Sequence, residues 1–376
     1  MRVLLTNFMV ASRTGAELYT RDVALALLAR GHSPIVYSTV LGPLAEQLRA
    51  ATVPVVDDLS AVSAAPDVVH GHHNYELVTA LLRFPGVPAV RVCHGWADER
   101  PWQAPRIRRF VCVDDTVRDR AVAEWGIPES RLEVLLNFVD TVQVQPRGPL
   151  PPKPARALVF SNNAAHHLPV VRRACASLGI SVDAAGQSVG SVADRPHDVL
   201  PRYDVVFAKA RCAYEALAAG ASVVLCDASG AGPLVTSANV EPLQRLNFGV
   251  RTLSRPLSPD VLVSELSRYD PADARRVTER IRATASLDAA VDALVSLYED
   301  VIAEQRDAAD TSAEDDLRNA AAYLREFSPA ARTDYRLRTH AFGFLQALYY
   351  HGERSPLRRL LPSRARARRI GKVFRA

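Results

Sequence analysis

The feature that most constrains this chain is an alternation of short β-rich stretches with helical patterns, run through twice and interrupted once by a cluster of prolines. The first forty residues set the rhythm: Val3-Leu4-Leu5, a polar stretch with Gly15, a helical pattern over Ala16–Ala29, Gly31 as a stop, then Pro34-Ile35-Val36-Tyr37. That order predicts a βαβ unit. Further β-rich runs follow at Val53–Val56, Asp67–His70, Ala89–Val92, Phe110–Val113 and Leu132–Leu136. Helical patterns cover Leu44–Ala50, with Pro43 suited to its first turn, and Asp115–Trp125. Strands that alternate with helices predict a parallel sheet covered on both faces.

Five prolines between Pro146 and Arg156 cannot serve a central strand and stiffen a connection, which places a domain boundary there. The alternation then resumes, with strands expected at Ala157–Phe160, Ser181–Asp183, Tyr203–Ala208 and Val223–Cys226, and helices at Leu168–Leu178 and Arg211–Ala219. A long amphipathic helix is expected over Leu287–Gln305, and another starts where Thr311 precedes Glu314 at capping-box spacing. A length of 376 residues with 48% hydrophobic residues suffices for two such cores.

Charge narrows the partners. The formal net charge is +5, yet residues 354–376 hold nine Arg or Lys and no Asp or Glu, so everything before that tail is mildly acidic. Such a balance argues against a nucleic-acid partner. Leu357, Leu360, Leu361, Ile370, Val373 and Phe374 interleave with the tail's charges, a pattern that suits either peripheral contact with an anionic membrane or a solvated tail. Pro356 and Pro362 break any long amphipathic helix there. Five scattered cysteines with no Cys-x-x-Cys pair indicate neither a disulfide framework nor a zinc site, and fit a reducing cytoplasm. No apolar run approaches the ~18 residues that would span a bilayer. Thr6 and Asn7 interrupt the apolar opening, so a first strand is expected instead of a signal peptide.

Several motifs carry candidate chemistry. In the turn after the first strand, Gly15 would let backbone N–H groups at a helix N-terminus approach a phosphate, or would simply form the turn. The three-glycine dinucleotide fingerprint is absent, which argues against a nicotinamide dehydrogenase. The run His70-Gly71-His72-His73 invites a metal reading, but without a carboxylate partner at ligand spacing it reads better as a polar strand end lining an interdomain cleft. His94 falls just past a strand's carboxyl end, where open α/β sheets bind ligands, and could bond a substrate or be structural. Only three residues are lysine, against 43 arginines, so Lys209 at another strand end hints at a need for a compact ammonium. Beside a helix N-terminus it would suit a diphosphate, although a solvated lysine fits as well.

In order and content these pieces resemble the large family of retaining, nucleotide-sugar-dependent glycosyltransferases of the GT-B fold. The resemblance is carried by Gly15-Ala16-Glu17, by Asp67 to His72, by Cys93-His94-Gly95, and most specifically by Gly126-Ile127-Pro128-Glu129-Ser130-Arg131-Leu132 through Asn137-Phe138-Val139-Asp140. Glu215-Ala216-Leu217-Ala218-Ala219-Gly220 is similar to the family's donor-site helix, followed by Val223–Asp227 and a loop with Gly230 and Gly232. The likeness spans roughly residues 1–305. Two departures stand out: Phe207 occupies the place of the family's first glutamate, and Ser161-Asn162-Asn163 replaces its diphosphate-holding Gly-Arg and lysine.

The resemblance implies an α/β chain of two Rossmann-like domains facing a central cleft: 1–150 on the acceptor side, 151–290 binding the nucleotide sugar, a helix over 291–306 returning to the first domain, and a helical extension with a basic tail over 307–376. It implies sugar transfer from a nucleoside-diphosphate sugar, with retention, to a small-molecule or lipid-linked acceptor. Neither a cofactor nor a metal ion is expected. His94 and Glu215 are the implied catalytic residues. Gly15, Asn162, Lys209, Arg211, Glu215, Gly230 and Gly232 are implied on the donor, and His72 and Trp96 beside the acceptor. The expected location is the cytoplasm, at the membrane's inner face if the tail binds there. A nucleotide-sugar epimerase of the same architecture and a degenerate nucleotide-binding protein are the rival readings.

Overall fold

A computed structural model describes residues 1–308 apart from 12, 96–98 and 194, together with 314–325 apart from 316. Trp96, Thr311 and the tail 354–376 therefore lie outside the described residues. The chain divides into two compact units, Met1–Thr311 and Ser312–Ala376.

The larger unit opens with β1 (Arg2–Thr6), α1 (Gly15–Ala29), β2 (Ser33–Tyr37), α2 (Pro43–Ala50) and β3 (Val55–Val56). It continues through β4 (Val68–Gly71), α3 (Asn74–Arg83), β5 (Ala89–Cys93), β6 (Ile107–Cys112), α4 (Asp115–Ala123) and β7 (Leu132–Val134). These seven strands pair in parallel in the order β3-β2-β1-β4-β5-β6-β7. The order reverses between β1 and β4, and in open parallel sheets such a reversal opens a crevice at the carboxyl ends of the strands.

After the proline-rich stretch come β8 (Arg156–Phe160), α5 (Leu168–Ala176), β9 (Ser181–Ala185), a one-turn α6 (Pro196–Val199), β10 (Val205–Ala208), α7 (Ala210–Ala218), β11 (Ser222–Asp227) and β12 (Gly230–Leu234). The second sheet runs β12-β11-β10-β8-β9, parallel except where β12 folds back on β11. Its reversal lies between β8 and β10. Strand periodicity explains the layers: Val206, Ala208, Val223 and Leu225 join the core on one face, while Val205, Phe207, Val224 and Cys226 join the core on the other. Both faces are apolar, as a parallel sheet covered on both sides requires.

Four helices complete the unit: α8 (Val240–Arg245), α9 (Pro259–Leu266), α10 (Pro271–Thr284) and α11 (Leu287–Asp307). The last three start with proline or leucine at the first helical position behind Ser258, Asp270 or Ser286, whose side chains accept from backbone N–H groups of the first turn. Helix α11 packs Val291, Leu294, Tyr298 and Val301 into the core of the first sheet. Arg30 holds it through Asp288 and Asp292, and Arg109 through Glu304. The chain thus crosses between the sheets twice, and the crossings bond to each other: Val139 N–H donates to Ala285 O at 2.8 Å and Leu287 N–H to Val139 O at 3.0 Å.

Among the described residues no helix is long and apolar enough to cross a membrane.

Candidate functional site

The loop after β1 ends at Thr14, the N-cap of α1, where the Thr14 N–H donates to Glu17 Oε2 at 2.7 Å. That bond satisfies one backbone donor of the entry turn and leaves Gly15 at the first helical position, with nothing within 4 Å of where a Cβ would stand. The open space beside Gly15 is a cleft between the two sheets. Arg13, Gly15, Arg21 and Asp22 line it from the first domain, and Asn162, Gly186, Arg211 and Glu215 from the second. Asn162 Nδ2 reaches Arg13 O at 3.4 Å across it.

Arg211 sits at the centre of the electrostatics. Its Nη2 donates to Asp22 Oδ2 on α1 at 2.5 Å and its Nε to Glu215 Oε1, one turn along α7, at 2.9 Å. Burial alone would lower its pKa, but Asp22 and Glu215 outweigh that and raise it, so the guanidinium is held charged. Asp22 also accepts from Arg21 Nε and Nη2 at 2.8 and 2.5 Å. Two cations and two carboxylates therefore balance in one buried network. Helix α7 is aimed by a left-handed Ala210, φ +49, whose N–H donates to Phe248 O at 2.9 Å; a non-glycine residue in that region stores strain. Gly186 is required for another reason: a Cβ there would lie 1.8 Å from Ser161 O, so the ends of β8 and β9 meet only because residue 186 is glycine.

The other candidates fall elsewhere. Lys209 Nζ pairs with Asp227 at the end of β11 and does not line this cleft. Burial would raise the Asp227 pKa, but Lys209 and Ser229 outweigh it and bring it below the usual carboxylate range. Beside them His167 is fully buried, and burial pushes its pKa down against the pull of Asp227. Gly230 and Gly232 correct the expectation of a loop, because they belong to strand β12. A Cβ on Gly230 would meet Arg255 O at 2.9 Å and one on Gly232 would meet Thr252 O at 2.6 Å, so close backbone packing accounts for both glycines. Phe207 is sealed inside β10, in the core face of the second sheet.

His70, His72 and His94 form a separate group in the first domain, and half-buried His73 accepts the Phe8 N–H at 3.1 Å, so none of the run His70-Gly71-His72-His73 lines this cleft as expected. His70 Nδ1 lies 2.5 Å from the Tyr298 hydroxyl of α11, and His72 Nδ1 lies 2.5 Å from His94 Nε2, with the two rings stacked at 20°. Tyr19 packs edge-on against His72 and His94. Burial depresses all three imidazoles, to about 3 for His70 and His94 and well below the ordinary value for His72, so the group is neutral. Arg91, fully buried beneath it, donates Nη1 to His72 O. Among the described residues no group of three or more His, Cys, Asp or Glu is arranged to hold a metal ion.

Sequence reading missed Asp22, Arg21 and the Tyr298–His70 bond. Asp22 interrupts the apolar stripe of α1, a signal of a buried charge awaiting a partner. Nothing local identifies that partner as Arg211, 189 residues away.

Residues 13–143, about a third of the chain, match the family model described as Glycosyltransferase Family 4. No curated protein matches the chain. Among solved structures it is similar to a glycosyltransferase from Rickettsia africae, with a TM-score of 0.59 and 12% identity over 80% of this chain and 98% of that one. HepE from Anabaena, solved with UDP and glucose, gives 0.55 and 13% over 80% and 99%. Sucrose-phosphate synthase from Thermosynechococcus elongatus gives 0.56 and 15% over 81% and 99%. The chain adopts the GT-B fold, and its first domain carries a segment that matches the Glycosyltransferase Family 4 model.

Proposed function

We propose that the chain is a glycosyltransferase that moves a sugar from a nucleoside-diphosphate sugar to an acceptor docked on the first domain. The observation that carries the reading is the cleft itself, where the glycine-led N-terminus of α1 opens onto Arg211 and Glu215 of the opposite domain. The family match over residues 13–143 supports it, as do the UDP and UDP-glucose complexes of HepE.

In this reading the diphosphate lies against the start of α1, where backbone N–H groups point outward and the helix end is positive. Arg211 takes the cationic role for which Lys209 was the other candidate, since Lys209 is engaged by Asp227 outside the cleft. Arg13 adds positive charge from the first domain, while the charge of Arg21 is balanced by Asp22. As the sugar–oxygen bond breaks, charge builds on the departing diphosphate, and donors already oriented around it lower the barrier without reorganising. Glu215, with one oxygen held by Arg211, offers the other to the ribose hydroxyls. The acceptor lies at the carboxyl edge of the first sheet, where His94 follows β5 and His72 holds it. Retention and transfer without a required metal ion belong to the same proposal, the arginines supplying the charge neutralisation.

The test is a panel of UDP-, GDP-, ADP- and dTDP-sugars, screened by thermal shift and then assayed for nucleoside diphosphate release with and without glycan and lipid-linked acceptors. Acceptor-dependent release supports transfer. Conversion of a nucleotide sugar with no acceptor would favour epimerisation, and binding without turnover across the panel would contradict an enzyme.

A further inference from the structure

We propose that Asp22 governs how strongly the cleft draws in the donor diphosphate, by holding Arg211 in an ion pair that crosses between the domains. The inference rests on reading the cleft as the donor site.

The geometry makes Arg211 a contested cation. Its guanidinium lies between two carboxylates, Asp22 of the first domain at 2.5 Å and Glu215 of the second at 2.9 Å, and all three residues line the cleft. Asp22 is 5% exposed and bridges two arginines, taking Arg21 on one oxygen and Arg211 on the other. The Arg21–Asp22–Arg211–Glu215 network sums to zero charge. An entering diphosphate is thus a third anion competing for Arg211, and it meets the repulsion of Asp22 in a site where solvent screens little. Asp22 belongs to the opposite domain, so its hold on Arg211 also ties α1 to α7. Donor binding and this interdomain pair draw on the same guanidinium. Asp22 is accordingly a positioning residue, acting through its hold on Arg211 and through its own charge at the edge of the cleft.

Inorganic pyrophosphate is the probe, since it carries the diphosphate without a base or a ribose. Calorimetric titration should show Asp22→Asn binding pyrophosphate about tenfold more tightly than wild type at about 50 mM salt, with the gain reduced but still present at about 0.5 M salt because the pair is largely buried. Asp22→Glu, which keeps the charge, should stay close to wild type. Glu215→Gln, which frees Arg211 from the other side, should also tighten pyrophosphate and serves as the second variant if Asp22→Asn fails to fold. A folded Asp22→Asn with wild-type or weaker pyrophosphate affinity overturns the inference, as does an unchanged Glu215→Gln. A failure of the transfer reading looks different: nucleotide sugars would go unconverted while the pyrophosphate pattern persisted.

Discussion

Acidification should weaken the first domain well above the range in which carboxylates titrate. His70 and His72 are fully buried, and burial depresses His70 to about 3 and His72 well below its ordinary value. In the unfolded chain an imidazole titrates near 6.5. Because the folded values lie below the unfolded one, the unfolded chain binds protons first, and stability falls as pH drops through about 6.5. Between pH 7.5 and 5.5 one such histidine costs about 1.4 kcal/mol, so the fully buried pair costs about 2.7 kcal/mol, a large share of a typical 5–15 kcal/mol. His94, depressed to about 3, and His32, lowered by burial and by the N-terminal ammonium, act in the same direction. Glu76 and Asp114, both raised by burial, act against it as pH falls further. All three tryptophans, at 96, 102 and 125, precede the proline-rich boundary, so their fluorescence during urea unfolding reports on this domain. A midpoint that does not move between pH 7.5 and 5.5 at constant ionic strength would refute the claim that these imidazoles are buried and neutral.

Two further outcomes follow from the cleft. Glu215→Ala should reduce the preference for a nucleoside diphosphate over pyrophosphate by about 1.5–3 kcal/mol, the range for a hydrogen bond to a charged group; calorimetric affinities for both ligands check it, and an unchanged preference contradicts contact with the ribose. Gly186→Ala should lower the melting temperature and weaken donor binding together, because the added carbon would strike Ser161 O and push the β8 and β9 ends apart; a stable variant with normal affinity would show that the two loops yield.

Much of the scaffold can be read from residues because parallel strands buried on both faces are continuous apolar runs, as in Val205–Ala208 and Val223–Cys226. Strand β6 begins at Ile107, three residues earlier than its apolar run suggests. Arg108 and Arg109 interrupt that run, and their partners, Gln305 and Glu304, are supplied by α11 from the far end of the unit. Strand β12 escapes notice for the opposite reason: Gly230-Ala231-Gly232-Pro233 has the composition of a turn, yet its glycines are what allow it to lie close against the backbone of residues 252–255. At the site, Gly15, Asn162, Arg211 and Glu215 are recognisable singly and meet in one cleft. What no local pattern carries is the pairing of Arg211 with Asp22, or the use of a tyrosine from α11 to bond His70, since both depend on how distant segments pack.

Whether a nucleotide sugar binds in the cleft beside α1 is decided by filling that cleft without disturbing the fold. Gly15 has no positive φ to protect, and its missing side chain would enter open space, so Gly15→Leu should fold as wild type does. The measurement is calorimetric affinity for the UDP-, GDP-, ADP- and dTDP-sugars, alongside the melting temperature. A donor in this cleft gives an unchanged melting temperature and a loss of affinity of about a hundredfold or more, roughly 2.7 kcal/mol, for every nucleotide sugar that binds wild type. Wild-type affinity in a folded Gly15→Leu protein would contradict this placement, because the donor would then lie elsewhere.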